Sequence, residues 1–425
     1  MEYAAFAMLR LRLSALQNDL LLRGVWEGLG TPECLVTGGY VRDRLLGRET
    51  VDVDLVLPGN LEDARGPARR LAARLDGRAH VLGRDDKRVW RIETPELKVE
   101  LWPLGELDLK GDIHRRDFTI NALMWRLPDG PLIDQVGGAA DLRAGTLRAI
   151  RKKNIQDDPV RLVRAARFLA QFPNFKTDER TAGWIRSLAP RVRHAPPERL
   201  GQEFLKLVTL PNPRRGFEAM LDFGILQRTI HPATRFDGPW IAANLDAVSR
   251  LRPNAHPLRA ALSEAGASAA LAVLLRAWGS PDPGAVSHYA WPRSLRLHAA
   301  NAARTLDAAL SAVDGPAADR RALIHHTGSA FPATIALAAA VEPSHHWNRW
   351  WRQWRREGAE LVDPVSLLAG EEIAALLGLP PGPALGRAVA ALTDAQVRGE
   401  VRTRGGAVGW LRAWFEENTP RLWKN

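Results

Sequence analysis

Residues 35–58 read LVTGGYVRDRLLGRETVDVDLVLP, the strongest local signal in the chain. The pattern predicts an apolar strand, a Gly-Gly turn, a short helix and a second strand. Gly38 and Gly39 permit a tight turn that a phosphate can approach closely, and the start of the helix offers free N–H groups. Arg42 lies one turn into that helix, where its guanidinium can bind the same phosphates. A Gly-Gly pair alone often marks only a turn, so its meaning depends on the residues that follow.

Two aspartates stand one residue apart in the second predicted strand. Because side chains alternate along a strand, Asp52 and Asp54 should share one face of it. The other face should carry Val51, Val53 and Leu55. Two like charges on one strand face repel, and a divalent cation such as Mg²⁺ would neutralise them while binding substrate phosphates. The alternative is an exposed edge strand whose aspartates are only solvated.

The composition predicts a cytoplasmic globular protein with more than one domain. The chain has 425 residues, 46% of them hydrophobic and 25% charged, as in ordinary globular proteins. Its net charge of +11 favours a polyanionic partner such as RNA, although a coding bias towards arginine would give the same charge. Because Cys34 is the only cysteine, neither an internal disulfide nor a Cys-ligated zinc site is expected. No apolar stretch is long enough for a membrane span, so we predict no membrane partner.

The periodicity of apolar residues changes along the chain. Residues 1–140 mix strand and helix patterns, whereas the pattern after Asp157 is almost wholly helical. We therefore predict a head over 1–140, followed by an all-α neck over 141–210, body over 211–342 and tail over 343–425. Strands are predicted at 34–37, 51–57, 88–93, 97–102 and 120–126. Helices are predicted near 3–29, 40–46, 61–75, 158–171, 178–189, 197–209 and 213–224, with proline-containing breaks at 211–213, 280–283, 343 and 380–383.

The stretch quoted at the outset resembles a known signature, GGxVRDxLLGR followed by DxD. It is typical of the class II tRNA nucleotidyltransferase and bacterial poly(A) polymerase family. The resemblance implies an α+β fold, with a polymerase β-like nucleotidyltransferase head around a small mixed sheet and all-α domains after it. It also implies catalysis by Asp52 and Asp54 with bound Mg²⁺, with tRNA and CTP, and also ATP, as substrates. The matching residues are Gly38-Gly39-Tyr40-Val41-Arg42-Asp43, Leu45-Leu46-Gly47-Arg48 and Asp52-Val53-Asp54.

Residues 114–122, HRRDFTINA, are similar to the RRDFTxNA motif of the same family. The resemblance implies that Arg116 contacts the nucleotide phosphates and that Asp117 accepts a hydrogen bond from the ribose 2′-hydroxyl. Asn121 belongs to the same nucleotide pocket. A carboxylate in that place selects ribonucleotides, because deoxynucleotides lack the hydroxyl. Without the family, an Arg-Arg-Asp triplet is more often a surface ion pair.

Residues 157–168, DDPVRLVRAARF, are similar to the family's EDxxRxxRAxRF helix, except that its first residue is Asp instead of Glu. Asp158, Arg161 and Arg164 are spaced three apart and should share a helical face. The resemblance implies that Asp158 and Arg161 hydrogen-bond the Watson–Crick edge of the incoming base, with Arg164 and Arg167 in the same pocket. Asp accepts from the exocyclic NH₂ of CTP or ATP, whereas UTP and GTP present a carbonyl there. In isolation, the segment favours an amphipathic helix with solvated ion pairs.

The predicted strand 97–102 and the segment after it bear on the metal site and the product. Glu100 is a candidate for the third carboxylate that often completes the metal site in this superfamily, and a structural role is equally open. Only residues 105–114 separate Leu104 from Arg115, where full CCA-adding relatives carry a longer flexible loop. In the family, loss of this loop is associated with enzymes that stop after two cytidines. We therefore expect a CC-adding enzyme, with a CCA-adding enzyme, an A-adding enzyme and a bacterial poly(A) polymerase as alternatives.

A tryptophan-rich segment near the predicted tail has two interpretations. Trp347, Trp350, Trp351 and Trp354 have the spacing of one buried helical face, so we predict that they pack in a core. Stacking of bases on these rings is the alternative. The neighbouring arginines should point outward, towards RNA or solvent.

Overall fold

The computed structural model describes residues 13–31, 33–83, 88–229, 247, 250–251, 258–277, 289–344 and 346–422. The chain forms two compact units. The head unit comprises Met1–Pro196 and Arg215–Arg228, and the helical unit comprises Pro197–Arg214 and Thr229–Asn425. The predicted four-part division is finer than this and remains a prediction. The start of the helix predicted near 3–29 and the proline break at 280–283 lie outside the described residues.

The head unit is built on a seven-stranded mixed sheet. Its strands are β1 (Leu35–Thr37), β2 (Asp52–Leu57), β3 (Arg78–Leu82), β4 (Val89–Glu93), β5 (Lys98–Pro103), β6 (Met124–Arg126) and β7 (Leu132–Ile133). They lie in the order β3-β4-β5-β2-β1-β6-β7, with β2 and β5 parallel and the other neighbours antiparallel. A separate parallel pair joins β8 (Thr146–Leu147) to β9 (Lys176–Thr177). The α+β fold with a small mixed sheet is therefore confirmed.

Helices of the head unit cover the sheet and connect its strands. In chain order they are α1 (Leu20–Leu29), α2 (Gly39–Leu45), α3 (Arg65–Arg74), α4 (Leu109–Arg115), α5 (Gly138–Ala144), α6 (Lys152–Asp157), α7 (Val160–Gln171) and α8 (Glu179–Leu188). Short 3₁₀ turns lie at Thr119–Asn121 and Ala189–His194. After α9 (Pro197–Val208), the chain returns to the head unit in α10 (Arg214–Asp222) and α11 (Leu226–Thr229).

Three details of the sheet differ from the sequence prediction. Residues 120–126 were predicted as one strand, but they begin in the 3₁₀ turn, and the strand starts only at Met124. Strand β3 was not predicted, because its side chains are mostly exposed and form no apolar face. Val51 precedes β2 and is 54% exposed, so it does not extend the apolar face of that strand.

Apolar packing fixes the orientation of the central strands. Val53 and Leu55 of β2 are buried, as are Val99 and Leu101 of the parallel neighbour β5. Burying each such side chain contributes roughly 1.5–3 kcal/mol to folding. Since side chains alternate along a strand, burial of this face leaves the aspartates of β2 on the opposite one.

The helical unit has a largely apolar interior. Its further helices are α12 (Arg259–Ala277), α13 (Arg293–Ser311), α14 (Ala317–Thr327), α15 (Phe331–Val341), α16 (Trp347–Val362), α17 (Gly370–Leu377), α18 (Pro383–Arg398) and α19 (Arg404–Leu422). Trp347 and Trp350 of α16 are fully buried, whereas Trp351 and Trp354 are half-buried. The predicted packing face is therefore narrower than the tryptophan spacing suggested, and Gln353 occupies part of it. Across the described residues, no helix has both the length and the apolarity needed to cross a membrane.

Candidate active site

The Gly-Gly turn lies beside the second aspartate of β2. Strand β1 pairs with β2 so that Thr37 is opposite Asp54, and Gly38 follows immediately with a φ of 68°. This positive φ favours glycine, and the surroundings favour it too. A Cβ built on Gly38 would lie 3.5 Å from Asp54 Oδ2 and 3.8 Å from Arg116 Nη1. The turn, an acidic side chain and a basic side chain therefore meet at one point.

The three predicted carboxylates lie on adjacent strands of one sheet. Asp52 is exposed and Asp54 is half-buried, and the parallel register places Asp54 directly beside Glu100 of β5. Burial and the neighbouring charge of Glu100 raise the pKa of Asp54 to about 6, although Arg116 and Lys98 oppose the shift. Burial and a neighbouring like charge thus disfavour the charged form of Asp54, a cost that a bound cation would offset.

Glu100 already forms ion pairs with basic side chains. Its Oε1 accepts hydrogen bonds from Arg91 Nη2 at 2.5 Å and Arg91 Nε at 3.1 Å, and Lys98 Nζ lies 3.3 Å away. Arg91 is the cross-strand partner of Glu100 on β4. The structure therefore brings Glu100 next to Asp54, but it also gives this side chain the structural role that the sequence left open.

Arg42 lies inside the head unit. Its Nη1 donates to Asn121 Oδ1 at 2.5 Å, while Nε and Nη2 donate to the carboxylate of Asp43 at 2.9 Å and 2.8 Å. The guanidinium also lies 5.2 Å from the ring centres of both Phe168 and Phe172. Arg42 therefore connects the helix after the Gly-Gly turn to the second motif, a role that its sequence position did not predict. Its predicted phosphate contact remains a prediction.

Asp117 is the centre of a buried hydrogen-bond network. Its Oδ1 accepts from the Phe118 amide at 2.7 Å and from Asn121 Nδ2 at 2.9 Å, and its Oδ2 accepts from Arg164 Nη1 at 3.2 Å. Burial alone would raise the pKa of Asp117, but Arg164, Asn121 and further hydrogen bonds and charges lower it overall. The carboxylate is therefore ionised and held in place, and it links the RRDFTxNA motif to α7.

The predicted base-reading side chains lie at the start of α7. Asp158 immediately precedes Pro159, the N-cap of the helix, and its Oδ2 lies 3.6 Å from Arg161 Nε. Arg161 and Arg164 are half-buried on the same helical face as Arg167. The structure therefore brings Asp158 and Arg161 together as expected, with Asp158 just outside the helix, which had been predicted to start at that residue.

Arg167 shares the face of α7 but has a different environment. Its Nη1 donates to Gln171 Oε1 at 2.8 Å, and its guanidinium lies 4.3 Å from the ring centre of Phe168. These contacts hold the side chain along the helix surface. Its predicted place in the nucleotide pocket remains a prediction.

Two parts of the chain match known protein families. Residues 34–148 match the family described as Poly A polymerase head domain, and residues 174–235 match the one described as probable RNA and SrmB-binding site of polymerase A. The first match contains the Gly-Gly turn and all three carboxylates. Together, the head fold and this match define a nucleotidyltransferase.

Solved structures share the fold over nearly the whole chain. A CCA-adding enzyme in complex with ATP covers 96% of this chain and 98% of its own length, with a TM-score of 0.65 and 22% identity. A Thermotoga maritima CCA-adding enzyme complexed with tRNA covers 95% of this chain and 98% of its own, with a TM-score of 0.60 and 21% identity. At this level of identity, these similarities concern the fold.

Curated relatives establish the family. The A-adding tRNA nucleotidyltransferase of Deinococcus radiodurans is 29% identical, over 91% of this chain and 96% of its own. The CC-adding tRNA nucleotidyltransferase of Geobacter sulfurreducens is 31% identical, over 88% of this chain and 90% of its own. The chain therefore belongs to the class II tRNA nucleotidyltransferase and bacterial poly(A) polymerase family, whose members are metal-dependent.

Proposed function

We propose that this protein adds two cytidines to the 3′ end of tRNA, using CTP and two carboxylates that hold Mg²⁺. The observation that carries the proposal is the position of Asp54 beside the Gly38 turn and Arg116. A triphosphate bound at the turn would place its phosphates between a basic side chain and the aspartates. This is the arrangement that transfer of a nucleotide to a hydroxyl requires.

The metal would be held by Asp52 and Asp54. Mg²⁺ is commonly bound by one or two carboxylates together with substrate phosphates and water. Burial and the neighbouring Glu100 disfavour the charged form of Asp54, which a bound cation would stabilise. When bound, Mg²⁺ supplies positive charge at the phosphates and favours deprotonation of the attacking hydroxyl. The residues of this chain would orient the substrates: Asp52 and Asp54 would face the triphosphate from β2, and Arg116 would bind its oxygens at the Gly38 turn.

We assign recognition of the nucleotide to the network around Asp117. Its carboxylate is ionised and fixed by Asn121 and Arg164, so it can accept a hydrogen bond from a ribose 2′-hydroxyl. Asp158 and Arg161 would then read the base. Their ion pair at 3.6 Å is long enough to open, so that each side chain can bond to the Watson–Crick edge of cytosine instead.

The length of one connection supports two cytidines as the product. Strand β5 ends at Pro103 and α4 begins at Leu109, so residues 104–108 alone join them. A longer mobile loop at this place, as in full CCA-adding relatives, would supply the motion that repositions base-reading side chains from C to A. The CC-adding relative at 31% identity supports the same product. The A-adding relative at 29% identity supports the second candidate, addition of A to a CC end.

An end-product assay separates these candidates. Purified protein is incubated with radiolabelled tRNA lacking its CCA end, given CTP, ATP or both, and the products are resolved at single-nucleotide length. We expect two added cytidines with CTP, with or without ATP, and no extension of a tRNA that already ends in CC. Efficient addition of A to the CC end would overturn the CC-adding proposal. A lack of transfer from any ribonucleotide would overturn the nucleotidyltransferase proposal itself.

A further inference from the structure

A buried carboxylate lies next to the predicted phosphate-binding arginine. Asp112 on α4 is 2% exposed. Its Oδ2 accepts from Arg116 Nε at 2.9 Å and Nη2 at 2.7 Å. Its Oδ1 accepts from Arg115 Nε at 2.9 Å and lies 2.7 Å from Arg115 Nη2. One carboxylate therefore holds two consecutive arginines, each through one edge of its guanidinium.

The two arginines differ in what their remaining nitrogen faces. Arg116 Nη1 lies near the Gly38 turn and Asp54 Oδ2, and 3.5 Å from the Asn121 carbonyl oxygen. A guanidinium is planar, with five N–H donors in a fixed arrangement. Because Asp112 takes the Nε edge, the Nη1 side is directed at the turn. The side chain of Arg115, by contrast, is 45% exposed.

The main chain of the same motif is held from α6. Asn154 is buried, and its Nδ2 donates to the carbonyl oxygens of His114 at 2.8 Å and Arg116 at 2.6 Å. One amide group thus fixes the backbone on both sides of Arg115. Asp112 fixes the side chain of Arg116, and Asn154 fixes its peptide.

We propose that Asp112 and Asn154 are positioning residues for nucleotide transfer, which act by holding the Arg116 guanidinium towards a triphosphate at the Gly38 turn and by keeping it from pairing with Asp54. Arg116 Nη1 and Asp54 Oδ2 both lie within 4 Å of the point that a Cβ on Gly38 would occupy. If Asp112 were absent, the guanidinium would be free to pair with Asp54 and compete with the metal. The proposal rests on the proposed function, since it concerns the same reaction.

An ordinary helical ion pair would not have these properties. Pairs at i,i+3 and i,i+4 on a helix surface are solvated and contribute little to stability. Asp112 is enclosed, and a buried carboxylate without its partners is strongly unfavourable, so the arrangement has one defined geometry. Geometry matters here because misplacing a binding group by about 1 Å can lower a rate 10²-fold.

A double-mutant cycle tests the inference. Asp112→Ala and Arg116→Ala should each lower kcat/KM for CTP by about 10- to 100-fold. The double variant should be no worse than Arg116→Ala, because Asp112 acts through that side chain. Asp112→Ala should also raise the Mg²⁺ concentration needed for half-maximal rate, and this increase should disappear in the double variant. Multiplied defects in the double variant, or an unchanged Mg²⁺ requirement, would overturn the proposal.

Matched variants separate positioning from folding. Arg115→Ala removes the other partner of the same carboxylate and should change kcat/KM by no more than about twofold. Asp112→Asn keeps the size of the side chain and one acceptor oxygen, so its kcat/KM should lie between the values for wild type and Asp112→Ala. This variant also tests the proposal if Asp112→Ala does not fold. Asn154→Ala should raise KM for CTP more than it lowers kcat. A larger effect on kcat than on KM would contradict the positioning role of Asn154. If the wild-type protein transfers no nucleotide, the proposed function is wrong. If it transfers nucleotide but the defects multiply in the double variant, only the positioning proposal is wrong.

Discussion

The head unit and the helical unit bury different kinds of side chain. Among the described residues of the helical unit, Glu203 is the one charged side chain that is buried. Its interior is otherwise uncharged and mainly apolar, with many alanine and leucine residues and large aromatic residues such as the fully buried Trp347 and Trp350. The head unit buries five charged residues in its described part: Asp19, Arg42, Asp112, Asp117 and Asp141.

This difference in buried charge indicates how each unit contributes to function. A buried charge is unfavourable unless it is paired, and pairing fixes the geometry of both partners. In the head unit, paired buried charges therefore hold side chains in fixed positions, as catalysis requires. The helical unit gains stability from apolar contacts, which are not directional, so any contact it makes with RNA must come from its surface.

The largest expected effect is on catalysis in the head unit. Asp52→Ala and Asp54→Ala should each lower the rate of cytidine transfer by at least about 10³-fold, because the metal would lose one of its two proposed protein ligands. Binding of tRNA, measured by filter retention, should not change. The exposed Glu62 pairs with Arg65 in the same unit, and Glu62→Ala should keep the rate within about twofold. Normal transfer by either aspartate variant would show that the carboxylates of β2 do not hold the metal.

The next effect concerns the stability of the head unit. Asp117→Ala should lower the free energy of unfolding by about 3–5 kcal/mol at pH 7, because Arg164 and Asn121 lose a buried partner. The folded pKa of Asp117 is below its unfolded value, so its stabilisation is complete above the unfolded pKa, about 3.9. It is lost as the pH falls through the lower folded pKa. In urea unfolding, the difference in the free energy of unfolding between variant and wild type should therefore become smaller below about pH 4. A difference that grew on acidification would contradict this pairing.

A smaller effect is expected in the apolar core of the helical unit. Leu392 on α18 is fully buried against Leu368, Ile373 and Leu411. Leu392→Ala should lower the free energy of unfolding by about 2–4 kcal/mol through lost burial and a cavity. Unlike the loss for Asp117→Ala, this loss in the free energy of unfolding should be the same at pH 4 and pH 7. The KM for CTP should not change. A pH-dependent loss would show that charged groups also stabilise this core.

The sequence was most informative where chemistry depends on local spacing. Alternation along β2 placed Asp52 and Asp54 opposite Val53 and Leu55, and the Gly-Gly pair marked the turn beside them. These features depend on a few consecutive residues, whose backbone geometry follows from strand periodicity and glycine's access to positive φ. The central strands were predictable for the same reason, whereas the α+β fold class was implied by the resemblance to a known family.

Contacts between distant segments were not predictable in this way. Asn154 reaches back to the backbone around Arg115, and Arg42 pairs with Asn121 across the head unit. No local periodicity encodes such pairs. Asp112 was not singled out from the sequence, because neither its helix, Leu109–Arg115, nor its burial was predicted. An ion pair becomes informative about function only once its solvent exposure is known.

The smallest expected effect tests the surface of the helical unit. Arg352 is an exposed residue of α16, on the side of the helix away from the buried Trp347 and Trp350. If this surface contacts the tRNA backbone, Arg352→Gln should weaken tRNA binding several-fold and reduce the salt dependence of affinity by about one counterion. Stability should change by less than about 0.5 kcal/mol, because an exposed arginine contributes little to folding. Titrations of tRNA at several salt concentrations measure both quantities. An unchanged salt slope would place the RNA on another face of the unit, whereas a loss of stability would mean that this interior also depends on charge.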